Sequence, residues 1–377
     1  MGRFSVSRWF AVLIKEFVQM RRDRLTFGMM IGIPVIQLAL FGFAINSDPK
    51  ALPTAVRAAD SSVYARSLVS ALGNSGYFRI VREAASEAEV ERLLQAGEVQ
   101  FALTIPAGFA RDILRGQRPA ILVEADATDP AATSNALAAL QVVARTAFDR
   151  DLTGPALALR AHPDPVELRV HRRYNPEGIS QYNVVPGLMG VILTMTMVMM
   201  TALAVTRERE RGTMEALLAM PVRPGEVMLG KIVPYIFVGY VQVVLILLAA
   251  HHVFGVPMVG SLLLLSLMLI LFMAANLAVG FTFSTIAKNQ LQAMQMSFFF
   301  FLPSILLSGF MFPFRGMPDW AQAIGEVLPL THFLRIVRGI MLKGSGWTEI
   351  EREVWALAAF LIAATVVALK RYRQTLD

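Results

Sequence analysis

Residues 184–231 read VVPGLMGVILTMTMVMMTALAVTRERERGTMEALLAMPVRPGEVMLGK. The run Val184–Thr206 carries no charge and is long enough to cross bilayer hydrocarbon, which takes about 20 apolar residues in a helix. It ends on Arg207–Arg211, where Arg and Glu alternate, and a second apolar run opens at Ile232. Two spans joined by a short basic loop decide the fold class, an α-helical polytopic membrane protein. The loop is itself patterned. Thr213 is placed to cap a short helix, Glu215 falls in its first turn where the dipole favours an acid, and Pro221 stops it. Met214, Leu217 and Leu218 share one face. A two-faced helix held between spans suits a groove on a partner. It suits equally a solvated loop whose apolar side rests on lipid.

Outward from this stretch, hydropathy gives six spans: Phe27–Ile45, Val184–Thr206, Ile232–Ala250, Val259–Ser284, Met294–Phe312 and Val354–Leu369. The first is longer than a signal-peptide core and has a poor cleavage site near Ala44, so it reads as a retained helix. Before it, Val6, Trp9, Phe10, Leu13, Phe17 and Met20 recur at helical spacing, as in an amphipathic helix lying in the membrane interface. The whole chain agrees with this class. Its 377 residues are 55% hydrophobic and only 17% charged, with mean hydropathy +0.54, against about 25% charged in soluble domains. There are no cysteines, which excludes disulfides, thiolate metal sites and cysteine nucleophiles.

The net charge of +7 is explained by orientation rather than by nucleic acid. With the N-terminus inside, 15 Lys and Arg fall on the cytoplasmic side and 5 in the short outer loops, as the positive-inside rule requires. Both termini are then cytoplasmic, and the polar stretch 46–183 lies outside. Within it, extended and helical patterns alternate: Pro53–Ala59, Phe78–Arg82, Val99–Ile105, Ala120–Asp126 and Val166–Tyr174 read as strands. Val63–Leu72, Ser86–Ala96, Ala107–Arg115 and Pro130–Arg160 read as helices, with Ser86 and Glu89 as a capping box. This is an α/β layer domain inserted between helices 1 and 2.

Chemistry is sparse. His162 and His171 lack metal-ligand spacing, and Glu124, Asp126 and Asp129 read better as a charged strand end entering a turn than as a cation site. Gly225–Ile232 nearly spells a phosphate loop, but Ile232 stands where the Mg²⁺-binding hydroxyl belongs and no strand precedes it. None of the six runs contains Asp, Glu, Lys, Arg or His, whereas ion-driven transporters commonly need such groups inside the membrane. No catalytic or metal residue is expected on this chain, and no cofactor. Gly28 and Gly32 permit close helix contact. The Met-rich second and Phe-rich fifth spans read as lipid- or helix-facing surface, with a greasy path as the alternative.

Glu208, Glu210, Gly212, Thr213, Glu215, Leu217 and Leu218, followed by Pro221 and Gly230-Lys231, resemble the coupling region of ABC-2 type exporter membrane subunits. A second likeness runs through Leu302-Pro303, Ser308-Gly309-Phe310, Phe312-Pro313, Met317-Pro318, Trp320, Leu328-Pro329-Leu330-Thr331, Arg338-Gly339 and Lys343-Gly344. It is similar to that family's fifth span and the re-entrant outer segment after it. Tyr174-Asn175-Pro176-Glu177 is a third, and the large external domain matches the drug-exporter-like branch.

The resemblance implies coupling loop 207–231, in which Glu208, Glu210, Gly212, Thr213, Glu215, Leu217, Leu218 and Pro221 face a separate ATPase subunit. It implies a re-entrant segment 313–352 and an outer gate at Pro303, Ser308, Gly309, Pro313, Pro329, Arg338 and Gly339. Non-helical backbone at membrane depth is tolerated where protein buries it. The domains expected are 1–26 (interfacial helix), 27–45 (helix 1), 46–183 (external α/β domain) and 184–377 (five-helix body). Implied partners are ATP-binding-cassette ATPase subunits carrying ATP and Mg, a second permease copy or paralogue, membrane lipid, and a periplasmic adaptor with an outer-membrane channel. The implied location is a bacterial inner membrane. His332 replaces an aromatic residue common in that family and reads as an interfacial aromatic substitute, with a pH sensor as the alternative. The rival reading is a non-transporting receptor or assembly scaffold whose outer domain binds a partner; a membrane enzyme would need an acid/base or metal constellation.

Overall fold

Strand and helix alternate from the first regular element of the computed structural model, which describes residues 49–154, 156–157, 164–210 and 224–371. The expected interfacial helix, first span and most of the coupling loop lie outside these residues. The order is β1 (Leu52–Ala58), α1 (Val63–Asn74), β2 (Phe78–Glu83), α2 (Glu87–Gln95), β3 (Phe101–Ile105), α3 (Phe109–Leu114), β4 (Ala120–Asp126), α4 (Pro130–Thr146) and β5 (Glu167–Arg173). The strands form one sheet in the order β2-β1-β3-β4-β5, with only β3 and β4 antiparallel.

Alternation along the strands sorts the two faces. Phe101, Leu103 and Ile105 join Leu68, Leu72, Phe109, Leu140 and Phe148 in one core. Ala55 and Ala102 point the other way, under Val90, Leu93 and Leu94 of α2. Caps fix the helix starts. Ser86 accepts from Glu89 N at 3.2 Å while the Glu89 carboxylate accepts from Ala85 N at 2.9 Å. The reciprocal bond therefore lands one residue earlier than in the ideal box. Asp129 caps α4, with Pro130 at its first position. This helix stops at Thr146 rather than continuing to Arg160, because Phe148 and Leu152 turn into the core.

Five helices among the described residues are long and apolar enough to cross a membrane, over Ser180–Leu203, Tyr235–His252, Leu262–Ile286, Gln290–Leu307 and Trp347–Arg371. They belong to α5 (Ser180–Glu210), α6 (Pro224–His252), α7 (Leu262–Ile286), α8 (Gln290–Leu307) and α11 (Trp347–Arg371). Between the last two lie a 3₁₀ turn (Phe314–Gly316), α9 (Asp319–Gly325), α10 (Pro329–Arg338) and a π turn (Gly339–Lys343).

Two boundaries differ from expectation. The fifth run was expected to reach Phe312, yet α8 ends at Leu307 because Gly309 takes φ +83°, a left-handed conformation that suits glycine. The last helix starts seven positions before Val354, at Trp347. Hydropathy misses its polar first turns, where Glu349 accepts from Gly346 N at 2.7 Å. Glu349, Glu351, Arg352 and Glu353 therefore ride on a membrane-length helix, which corrects the expectation that no such helix carries ionisable groups.

Helix α7 is the centre of the bundle, packed on α5 and α11. A Cβ at Gly280 would run into the Val198 carbonyl and sit 2.9 Å from the Thr201 Cβ, so glycine sets how closely α5 and α7 approach. Phe272 of α7 stacks on Phe333 of α10 at 4.1 Å and 11°. The α/β unit is tied to the segment after α8. Lys343 Nζ donates to Asp126 Oδ2 at 2.5 Å and to the Leu94 carbonyl at 3.2 Å, and Arg315 donates to the Gly97 carbonyl at 3.2 Å.

Candidate functional site

The polar groups of the helical body gather at two places. At one, Glu210 closes α5 and accepts from the Gln290 backbone at 2.7 Å and from its side-chain amide. These bonds hold the Glu210 carboxyl below its ordinary range. Arg207 Nε reaches Gln290 Oε1 at 3.5 Å. Asn289 caps α8 by accepting from Gln292 N at 2.8 Å, and the Gln292 side chain accepts from Lys288 N at 2.9 Å. The end of α5 is thus fastened to the α7–α8 turn. Sequence reasoning missed Gln290, which lies 80 positions from its partner; the N-x-x-Q start at Asn289–Gln292 was its legible signal. The Glu208 side chain, Gly212, Thr213, Glu215, Leu217, Leu218 and Pro221 lie outside what the structure describes.

The second place is the 308–353 region. Pro303 sits inside α8, where it removes a helix bond and frees the Phe299 carbonyl. Ser308 ends that helix and Pro313 leads into the 3₁₀ turn. Pro329 opens α10, as a residue without a needed N–H can. Gly309 and Arg338 meet: Arg338 Nη1 donates to the Gly309 carbonyl at 3.3 Å. Gly339 follows and begins the π turn. Thr331 Oγ1 donates to the Gly325 carbonyl at 2.6 Å, securing α10 on α9.

His332 is not an interfacial aromatic substitute. It is 6% exposed, with Nδ1 2.5 Å from Glu353 Oε2 and Nε2 2.8 Å from the Glu326 carbonyl. Both neighbours are acceptors, so the ring is served best as an imidazolium. Burial opposes the charge, but the bonds to Glu353 and to the Glu326 carbonyl outweigh it and raise the ring's pKa. Arg335 bridges Glu326 at 2.6 Å and Glu353 at 3.3 Å, and stacks over Phe314 at 4.7 Å. Two cations and two carboxylates thereby pin α10 to α9 and α11.

Among the described residues no third cluster competes. Among the described residues, no group of three His, Cys, Asp or Glu is placed to hold a metal. Glu124 pairs with Arg173 at 2.5 Å, Asp126 with Lys343 at 2.5 Å, and Asp129 caps α4. His171 is exposed on an edge strand, and His162 lies outside the described residues.

Known proteins with the same pattern are membrane transport subunits. A family profile described as ABC-2 family transporter protein matches residues 24–370. Probable multidrug ABC transporter permease YbhS of Escherichia coli is 31% identical over 342 residues, covering 89% of this chain and 88% of that protein. Probable multidrug ABC transporter permease YbhR of the same organism is 26% identical over 367 residues, covering 97% and 98%. Inner membrane transport permease YhhJ, also from Escherichia coli, is 32% identical over 296 residues and 76% of each chain. With its apolar helices packed around α7 and its α/β unit fastened to the segment after α8, the chain belongs to the ABC-2 family of transporter proteins, as a membrane permease.

Proposed function

We propose that this permease couples ATP hydrolysis by separate cytoplasmic ATPase subunits to outward export of a hydrophobic or amphiphilic compound. The observation that carries the reading is α5. It runs 31 residues without interruption, roughly 46 Å at 1.5 Å per residue. Its last residue is bonded to Gln290, and it packs along α7, α8 and α10. A push at the Glu210 end therefore reaches the Arg338–Gly309 contact through a stiff rod rather than a loop. The central turns of the described spans carry no Asp, Glu, Lys, Arg or His to take up a driving ion, which favours an external motor.

In this reading both termini and the 207–231 loop face the cytoplasm, and the 46–183 domain faces outward across the inner membrane. Glu208 to Pro221 meet the ATPase, and the segment 313–352 forms the gate. A second permease copy or paralogue completes the path. The multidrug wording belongs to the relatives' names and is extended here to lipophilic cargo, with an adaptor resting on the outward domain.

The test is substitution of the coupling loop in cells that carry the ATPase. Glu215→Ala or Leu218→Asp is expected to lower export of a lipophilic dye at least tenfold, with membrane insertion and ATPase co-purification retained. Full coupled export by both variants would overturn the assignment.

A further inference from the structure

Arg338, at the end of α10, leaves most of its hydrogen-bonding capacity unused. Its Nη1 makes the single bond to the Gly309 carbonyl, while Nε and Nη2 are enclosed and without any partner. Arg335, one turn away, is saturated by two carboxylates, so crowding of the region does not explain the difference. The Ser308 hydroxyl, next to Gly309 and 3% exposed, is also without a partner. Buried donors are almost always satisfied, so an unsatisfied one calls for an explanation. For a guanidinium the cost of leaving it so is that of an uncompensated charge.

The nearest acids do not fill the need. Asp126 is held by Lys343 and by the Thr128 hydroxyl at 2.8 Å. Asp129 accepts from Ala131 N at 3.2 Å and from the Asn183 amide at 3.4 Å, and makes no ion pair with Arg338 among the described residues. Burial raises the Asp129 pKa, with Arg338 only partly opposing it, so that carboxyl can give up its charge cheaply. Arg338 is partly exposed as a residue, but its Nε and Nη2 are enclosed, the latter 3.5 Å from where a Gly187 Cβ would stand and close to the Phe310 ring, so an anion reaches them only if that ring shifts. Val184 and Leu188 of α5 and Met311 after Phe310 are exposed, and they flank these positions in the chain.

We propose that Arg338, with the Ser308 hydroxyl, binds the oxyanion headgroup of an amphiphile, a phosphate or similar group, whose hydrocarbon tail lies along Val184, Leu188 and Met311. Three unused donors in a planar fork suit two oxygens of one anion. The source is a membrane lipid or a transported amphiphile, and a free inorganic anion shares the chemistry. The proposal narrows the cargo class of the export reading and rests on it for direction, but binding itself needs no ATPase.

The experiment uses the full-length permease in phosphatidylcholine nanodiscs, titrated with decyl phosphate, inorganic phosphate and decyltrimethylammonium. The same titrations run with phosphatidylglycerol doped into the disc. Saturable binding of decyl phosphate is expected, weakened at least tenfold in Arg338→Met and partly in Arg338→Lys, with tighter binding in Asp129→Asn. That gain cannot come from misfolding. Competition by phosphatidylglycerol assigns the natural source to lipid, its absence assigns it to cargo, and saturation by inorganic phosphate alone assigns it to the free anion; all three support an anion site. Equal affinity of wild type and Arg338→Met, or binding of the cation as tight as the phosphate, overturns it. Glu215→Ala separates the two claims, since it is expected to lower export at least tenfold and leave decyl phosphate binding unchanged.

Discussion

The α/β unit and the helical body both enclose large apolar side chains, but among the described residues only the helical body also turns phenylalanines outward. In the sheet unit bulk is inside: Phe78 meets Phe101 edge-on at 5.2 Å, and Phe109 and Phe148 close the other end of the same core. In the helical body Phe272, Phe281 and Phe333 are fully buried as well, and Gly280 lets helices approach closely beside fully buried Ala275 and Ala278, while Phe237, Leu245 and Leu263 are more than 60% exposed. Water expels apolar surface and so selects the largest side chains for an interior. Lipid does not, and membrane helices choose their inner faces by closeness of fit. A large residue therefore marks the interior reliably in the α/β unit and less reliably in the helical body.

The contrast is tested most severely by Phe101→Ala. Truncating a fully buried phenylalanine is expected to cost about 3–5 kcal/mol. The loss should be confined to the α/β unit, read as protease sensitivity within 52–173 while the helical bundle stays folded in detergent. Uniform loss of both halves would mean that they fold as one unit. Next is Gly280→Leu, a change that adds apolar surface and would be harmless in a fluid core. Overpacking against the Val198 carbonyl is expected to cost about 1–3 kcal/mol, read as a lowered thermal midpoint of the purified permease. An unchanged or raised midpoint would show that bulk, not fit, governs α5 and α7.

The smallest effect concerns pH. His332 has a raised pKa in the folded state, so its contribution is complete below its ordinary value of 6.5 and is lost as pH rises through the raised one. The thermal midpoint is expected to fall over that upper range in wild type and to be flatter in His332→Gln. Identical pH profiles would remove the imidazolium from the network.

How much could be read beforehand follows from the same contrast. In the sheet unit, alternation and caps located every strand to within about two residues, because burial from water writes period two into the sequence. Ala120–Asp126 is one such strand, and Ser86 announces a helix start, whereas the cap at Asp129 reads from the sequence as a turn. The membrane helices were visible as runs, but their ends were not. A hydropathy window discards the charged turns at Trp347–Glu353 and reads through the left-handed Gly309. The polar links were the least legible. Glu210 with Gln290 and Asp126 with Lys343 join residues 80 and 217 positions apart, and nothing local in either partner names the other. Likewise, a histidine among aromatic and aliphatic neighbours gives no hint that two acidic elements converge on it.

Lys343 adds a mechanical consequence. Its ammonium carries both the end of β4 and the end of α2, and it stands immediately before Gly344, at φ +69°. A tether beside a pivot is a crank. A turn of α10 would tilt the sheet with it, and a seven-residue strand, roughly 23 Å long, would enlarge a slight rotation into a sweep at the far rim.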